Sequence, residues 1–292
     1  MKFVQILMCA VFLLCPIIAT GLFAEEVKPP EAKVAEAKVP EKAPEEKATG
    51  SVAFGVFNKY VFRGYELSRD SVVVQPAVTV SYKGFSVTYW GNIDSDAHDT
   101  HSYFPSGHDK DGEKWFNESD LTLSYSRSFD KLSLTGGYIY YGTKYTEETE
   151  ELFISAMYDI LTKPTLAIYQ DITSYPGTYI NLSFSHSVPL YRDITLDLGA
   201  SAGYFIGKGK YWRTYERSTG DYTGSKYDGF HDGMVKAGFT IPLTKSISFQ
   251  PFGQYWFPLS GDAERKVGNV SYNPNGYLGT VFVGGANFTF SF

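Results

Sequence analysis

The last stretch of the chain, residues 277–292, constrains the fold most strongly. It reads YLGTVFVGGANFTFSF, and large apolar residues alternate in it with small or polar ones. This period of two indicates a β-strand with one apolar face. A closed barrel in a lipid bilayer accommodates such a terminal strand, because closure leaves no unpaired edge and outward aromatic side chains meet lipid. We therefore predict that this strand closes a membrane barrel, the alternative being the last strand of a soluble sandwich.

The same alternation recurs through residues 51–292 and predicts an all-β domain, a transmembrane antiparallel β-barrel of twelve strands closed by the C-terminal strand. The predicted strands span 51–63, 72–82, 85–94, 118–128, 132–143, 150–160, 165–174, 178–188, 194–205, 231–241, 246–257 and 277–292. An even number places both chain ends on one side of the membrane, so the last strand can pair antiparallel with the first. Short turns alternate with longer polar loops, which predicts periplasmic turns and external loops.

Composition and charge narrow the class of protein further. The sequence has 23 Tyr and 22 Phe, but after the short apolar run near its start it has no run of about eighteen apolar residues that could form a membrane helix. The net charge of −6 comes without a basic patch, so we expect no nucleic-acid partner. The expected partners are outer-membrane lipid and lipopolysaccharide, the barrel-assembly machinery and small solutes, and we expect no cofactor.

The first fifty residues differ from the rest. Residues 1–24 have an early lysine and a short apolar run, which indicate a cleaved signal peptide and export to the outer membrane. Residues 25–50 are rich in Pro, Ala, Lys and Glu and lack aromatics, which predicts a disordered periplasmic spacer. Both cysteines, Cys9 and Cys15, lie in the signal segment, so the mature chain is predicted to have no disulfide and no thiol nucleophile.

Charged residues within the predicted strands are the candidates for pore lining. A Lys or Arg that faces the bilayer midplane costs about 2–4 kcal/mol, so such residues are expected to face the lumen. The first predicted strand would thus turn Tyr60 and Phe62 toward lipid. The predicted luminal residues are Lys59, Arg63, Asp94, Asp120, Glu151, Asp171, Asp197, Asp232 and Lys236. They could line an open pore or neutralise one another in a plug, and the sequence leaves both open.

Several segments resemble a known family. NKYVFRGYELS, QPAVTVSYKGFSVTYWGNID, ESDLTLSYS, EELFISAMYD, INLSFSHSVPL and HDGMVKAGFTIPL are similar to successive hairpins of the TorF family of outer-membrane porins. The most specific pieces are YVFRG at residues 60–64 and WGN at residues 90–92. The resemblance implies a barrel and a porin but no particular solute. The last strand also resembles the assembly signal of outer-membrane barrels, carried by Gly285, Phe288, Phe290 and Phe292.

The segment IDSDAHDTH, residues 93–101, raises two other hypotheses. Omptin-type proteases combine paired aspartates with an Asp-His couple, but the second acidic pair has no clear match here. His98, His101 and His108 share one loop with several carboxylates and are weak candidates for a metal site, although no HxH pair or calcium-loop pattern is present. We expect no metal and no catalysis, and interpret the loop as an acidic vestibule that attracts cations.

The function that the sequence favours is an outer-membrane porin-like channel for the passive or weakly selective passage of small solutes or ions. The alternative is a structural or adhesive surface barrel whose lumen is plugged. An omptin-like outer-membrane enzyme is a further alternative.

Overall fold

A computed structural model describes residues 47–68, 71–95, 115–144, 146–216, 218–267, 270–273 and 275–292. In chain order the strands are β1 (Thr49–Phe57), β2 (Val61–Phe62), β3 (Tyr65–Glu66), β4 (Val73–Tyr82), β5 (Phe85–Asp94), β6 (Trp115–Phe129), β7 (Leu132–Thr143), β8 (Thr149–Tyr158), β9 (Thr165–Asp171), β10 (Gly177–Pro189), β11 (Thr195–Gly207), β12 (Arg213–Tyr215), β13 (Tyr222–Lys226), β14 (Asp228–Pro242), β15 (Ile247–Pro258), β16 (Lys266–Val267), β17 (Val270–Ser271) and β18 (Val281–Ser291). One short helix, α1 (Gly261–Glu264), precedes β16.

Twelve of these strands close into one antiparallel barrel. Their order around it is β1, β18, β15, β14, β11, β10, β9, β8, β7, β6, β5 and β4, which pairs with β1 again. β18 closes the barrel against β1, with Ser51 opposite Ser291 and Phe54 opposite Phe288. The predicted fold class and strand number are therefore confirmed. The six remaining strands form three separate hairpins, β2–β3, β12–β13 and β16–β17.

The outer surface of the barrel is apolar. Each of the twelve wall strands contributes at least one exposed large apolar side chain, and Phe54, Ile154 and Phe282 are each more than half exposed. Between these positions, polar side chains face inward, and the hydroxyls of Thr79 and Thr88 hydrogen-bond across β4 and β5 at 2.9 Å. An apolar exterior around a polar lumen is the arrangement of a transmembrane barrel. None of the helices in the part of the chain that the structure describes is long and apolar enough to cross a membrane.

The two ends of the barrel differ in their connections. One end, the turn end, has the short connections at residues 83–84, 130–131, 159–164, 190–194 and 243–246. The other, the loop end, has the connections at residues 58–72, 95–114, 144–148, 172–176, 208–227 and 259–280. Lys83 and Gly84 both have positive φ, 51° and 84°, as a tight two-residue hairpin turn requires. Short and generally longer connections thus alternate, as the sequence predicts.

The first predicted strand, 51–63, is wrong at its C-terminal end. β1 ends at Phe57, and the chain then turns into the barrel. Tyr60 is buried with its ring 5.5 Å from that of Trp90, and Phe62 packs edge-on against Tyr141 at 6.0 Å, so neither faces lipid. The physical reason is that an inward hairpin is extended and alternates with the same period as a wall strand.

The seventh predicted strand, 165–174, needs a smaller correction. Strand β9 ends at Asp171 rather than at residue 174. One carboxylate oxygen of Asp171 accepts hydrogen bonds from the backbone N–H groups of Thr173 and Tyr175, each at 3.1 Å. This local turn takes the backbone donors away from the ladder and ends the strand.

Candidate functional site

A hairpin inside the lumen is the main feature of the barrel interior. We call residues 58–68 the inner hairpin; they contain β2 and β3. Its side chains contact Trp90 on β5 and Glu151 on β8, while its tip lies against Asp232 on β14. Because β5 and β14 are well separated around the barrel, the inner hairpin spans the lumen from one wall toward another.

The tip of the inner hairpin is a two-residue turn. Arg63 and Gly64 have φ values of 49° and 79°, and Phe62 pairs with Tyr65 on either side of them. Positive φ at both central residues matches the right-handed twist of a tight hairpin. A Cβ atom added to Gly64 would lie 2.7 Å from the Cβ atom of Asp232, so the turn needs glycine for space as well as for conformation.

Arg63 holds the tip of the inner hairpin against the wall. Its two terminal nitrogens donate to the two oxygens of Glu151, both at 2.7 Å, in a bidentate pair. Tyr141 also donates its hydroxyl to Glu151 at 2.9 Å. The side chains of Arg63 and Glu151 are only 14% and 6% exposed. The pair is thus largely removed from bulk water, and each charge depends on the other for compensation.

Three aromatic rings complete the environment of Arg63. The central guanidinium carbon lies 4.7 Å from the ring centre of Phe62, 4.8 Å from that of Tyr169 and 4.5 Å from that of Tyr179. Such distances are within the range of cation–π attraction, which is stronger where water is excluded. The guanidinium of Arg63 is therefore surrounded in the way an organic cation would be, by three aromatic rings and the carboxylate of Glu151.

Next to this pair, strand β6 carries two more inward carboxylates. Glu118 and Asp120 are two residues apart, and Leu121 and Leu123 face outward, so the two acids share the luminal face. Tyr60 of the inner hairpin hydrogen-bonds Glu118. Among the described residues, the buried Oδ1 atom of Asp120 has no hydrogen-bond partner. Within the described ranges, no Lys, Arg or His side chain forms an ion pair with either acid.

A cavity of about 150 Å³ lies between the inner hairpin and the wall formed by β6 to β11. Its aromatic lining includes Tyr60, Phe62, Tyr65, Tyr141, Tyr175 and Trp212. Its ionic lining consists of Arg63, Glu118, Glu147, Glu151 and Asp171, together with His231. The cavity thus combines many aromatic faces with four carboxylates and one guanidinium.

Loop-end residues pack over part of the lumen. Trp212 and Tyr227, from the connection after β11, and Leu278, from the connection before β18, are almost completely buried. They cluster with Phe205 of the wall, whose ring centre is 4.0 Å from that of Trp212. Trp212 donates its ring N–H to the carbonyl oxygen of Tyr175 at 3.1 Å. These contacts narrow the loop end and hold the loops over the inner hairpin.

The lumen near the turn end has a different lining. Small hydroxyl side chains face inward and pair across neighbouring strands, with Ser81 and Ser86 2.7 Å apart and Ser126 and Thr135 2.9 Å apart. Ser126 is exposed even though it faces the lumen. Short polar side chains leave room for water, so we expect the turn-end half of the lumen to hold water.

The structure brings some of the predicted site residues together. Arg63 and Glu151 meet directly, as described above. Asp232 accepts a hydrogen bond from the hydroxyl of Tyr179 at 2.9 Å, near the tip of the inner hairpin. Lys59 does not lie on β1 as predicted, because that strand ends before it; its ammonium group pairs with Glu66 of the inner hairpin at 2.6 Å.

Other predicted residues lie apart from this cluster. Asp171 lines the cavity and accepts the hydroxyl of Thr149 at 2.6 Å. Asp94 is buried at the loop end of β5. Nearer the turn end, Asp197 accepts the Ser187 and Thr240 hydroxyls at 2.6 Å each, and the Lys236 ammonium lies 4.5 Å from the Phe252 ring centre. The pore-lining role of these residues stays a prediction.

The candidate metal ligands His98, His101 and His108 lie outside the described residues. Phe288 and Phe290 of β18, and Phe292 just after it, are exposed on the outer face, whereas Gly285 faces inward against Phe57. Their role as an assembly signal stays a prediction.

Sequence reasoning missed several residues of the site. Glu118 was not predicted, although it stands two residues before Asp120 and therefore shares its face. The cavity aromatics Tyr141, Tyr175 and Trp212 were also missed. Inward and outward tyrosines cannot be told apart by residue type, so the sequence did not distinguish Tyr141 from its neighbour Tyr140.

Comparisons with known proteins do not assign this chain to a family. No family profile matches the sequence, and no curated protein matches it. The NanC porin structure has 10% identity and a TM-score of 0.48, covering 82% of this chain and 98% of that one. An outer membrane channel from Pseudomonas putida F1 has 10% identity and a TM-score of 0.43, covering 86% and 99%.

An anion-selective porin from Comamonas acidovorans is more distant, with 10% identity and a TM-score of 0.33 over 84% of this chain and 99% of that one. At TM-scores below 0.5, none of these similarities supports a conclusion about function. The barrel is established by the strand pairing of this chain itself, which closes β1 on β18.

Proposed function

We propose that this protein is an outer-membrane channel that passes small solutes or ions, passively or with weak selectivity. The observation that carries this proposal is the two-part lumen. A turn-end half lined by small hydroxyl side chains leads to a narrower region at the inner hairpin, where a cavity remains beside the hairpin. Wide water-filled space in series with one charged constriction is the arrangement of a selective pore.

The location and orientation form part of the same proposal. The apolar exterior of the barrel fits a bilayer, and the targeting segment at residues 1–24 directs export through a cleaved signal peptide. The turn end then faces the periplasm and the loop end faces the medium, as in other outer-membrane barrels. Membership of the TorF porin family is likewise a proposal, which rests on the resembling segments quoted above.

The charges at the constriction favour cations. Glu118, Glu151 and Asp171 line the cavity and Asp120 lies beside them, whereas Arg63 is the cation among these groups. An excess of like charge in a narrow pore raises the local concentration of counter-ions. We propose no catalysis and no cofactor for this barrel.

A barrel with a plugged lumen is the second candidate. The observation that favours it is the bidentate Arg63–Glu151 pair, together with the buried loop cluster around Trp212. In that case the long loop-end connections would carry an adhesive or structural function. The omptin-like alternative depends on a segment of which only residues 93–95 are described.

A liposome-swelling assay tests the proposal. The full barrel is reconstituted and swelling rates are compared for small cationic, neutral and anionic solutes of similar size. We expect swelling with all three and the fastest rate for the cation. Absence of swelling with every solute, from a barrel whose folding is confirmed by heat-modifiable mobility, would favour the plugged barrel instead.

A further inference from the structure

The cavity beside the inner hairpin has features beyond those that a passive pore needs. We propose that it binds a small organic cation, one that carries an ammonium or guanidinium group on a compact apolar body. This inference rests on the proposed function and deepens it by naming the class of solute that the constriction recognises.

The lumen already shows the chemistry that such a ligand would meet. The guanidinium of Arg63 is held by a carboxylate at 2.7 Å and by three ring faces within 4.8 Å. These are the groups that recognise organic cations in general, since the face of an aromatic ring is negative and a carboxylate supplies full charge. A second carboxylate of the same cavity, Glu118, is hydrogen-bonded by Tyr60 and, with its neighbour Asp120 on β6, forms a second set of such groups.

Among the described residues, no cation pairs with the carboxylates of this second set. Glu118 and Asp120 lie side by side on β6 with no ion-pair partner in the described part of the chain, and Asp120 Oδ1 has no hydrogen-bond partner. A buried polar group without a partner is costly, more so when it is charged. A cationic ligand beside Glu118 would be attracted by both carboxylates of β6, and a neutral or anionic ligand would not.

The aromatic lining and the volume of the cavity determine which organic cations fit. Tyr60 hydrogen-bonds Glu118, and Tyr175 and Trp212 line the same cavity, so the ligand would meet rings as well as a carboxylate. A cavity of about 150 Å³ is comparable to one that holds benzene in another protein, so a cation of about that size fits. Aromatic walls favour a weakly hydrated ammonium or guanidinium over a strongly hydrated ion.

A bare metal ion fits the site less well. Among the residues that the structure describes, no three His, Cys, Asp or Glu side chains are placed to hold a metal ion together. Asp171 lines the cavity, but its oxygens already accept the Thr149 hydroxyl and two backbone N–H groups. Glu118 and the aromatic rings of the cavity therefore suit an organic cation better than a bare metal ion.

The experiment is a calorimetric titration of the refolded, full-length barrel in detergent micelles. The probes are choline and its uncharged isostere 3,3-dimethylbutan-1-ol, which has the same shape. We expect choline to bind at least about tenfold more tightly than the isostere, because only choline gains the electrostatic attraction of rings and carboxylates. Choline binding should weaken between low and high salt, whereas isostere binding should not.

Two variants locate the site. Glu118→Gln keeps the size of the side chain and should weaken choline binding about tenfold by removing the charge that faces the ligand. Asp159→Asn removes a carboxylate from an exposed turn-end connection and should leave binding unchanged. If Glu118→Gln does not refold, Glu147→Gln, on the loop that borders the cavity, should weaken binding at least about threefold by the same reasoning.

Equal affinity for choline and the isostere would overturn the inference, as would unchanged choline affinity in the cavity variant that folds. Calorimetry detects binding whether or not a solute crosses the barrel. The channel proposal and the cation-binding proposal can therefore be contradicted independently. A barrel that permits swelling but does not bind choline contradicts only this inference. A barrel that binds choline but never permits swelling contradicts the channel and supports a cation-binding surface barrel.

Discussion

Replacement of Arg63 by Ser should release the inner hairpin from the wall. The change removes the bidentate pair with Glu151 and leaves that carboxylate buried without its cation. Loss of one partner from a buried ion pair costs about 3–5 kcal/mol. Since Arg63 is 14% exposed and Glu151 6%, we expect the lower end, about 3 kcal/mol. This corresponds to roughly a hundredfold shift in the docking equilibrium of the inner hairpin.

Single-channel recording in planar bilayers measures the effect. We expect Arg63→Ser to show larger conductance steps than the wild type and a reversal potential shifted toward cations. The selectivity shift should shrink with salt, because the Debye length falls from about 10 Å at 0.1 M to about 3 Å at 1 M. The double variant Arg63→Ser, Glu151→Gln should recover part of the docked state, because no uncompensated charge is then buried between the two positions.

The matched control is Lys236→Ser. It removes another inward cation, one that lies over the ring of Phe252 rather than against Glu151. It should shift selectivity in the same direction with a smaller rise in conductance. The reasoning is refuted if Arg63→Ser keeps the conductance of the wild type, or if it does no more than the control.

Three further changes test other parts of the account. Gly64→Ala should raise conductance and lower the thermal stability of the barrel, because its Cβ would lie 2.7 Å from that of Asp232 and φ is +79°; wild-type values for both would contradict this. Deletion of Phe292 removes two backbone hydrogen bonds to Gly50 and should reduce the outer-membrane yield but not secretion, so an unchanged yield and heat-modifiable mobility would count against it. Deletion of residues 28–47 should leave thermal stability unchanged, since that segment has no apolar face; a large fall would show that it docks on the barrel.

The wall of the barrel could be predicted because its physical signal is local. A wall strand must present apolar side chains to lipid and polar ones to water, so alternation along the chain marks it directly. Turn residues such as Lys83-Gly84 mark the short connections for a similarly local reason. Strand number and the alternation of turns and loops therefore followed from the sequence, and the last strand was placed correctly against the first.

The inner hairpin could not be predicted in the same way. Residues 58–66 continue the alternation of β1, and nothing in the period shows that the chain has left the wall at Phe57. The Arg63-Gly64 pair was a turn signal of the same form as Lys83-Gly84, but it also suited the end of a strand. What holds the hairpin inside is tertiary: the partner of Arg63 is Glu151, 88 residues away.

The central claim is that the inner hairpin is the element that limits flow through an otherwise open barrel. The most direct measurement compares single-channel conductance of the wild type with that of a variant in which residues 59–71 are replaced by a short Gly-Ser linker. The account predicts that both conduct and that the variant conducts more, with weaker discrimination between ions. Equal conductance in the two proteins, or no conductance in either, would contradict it.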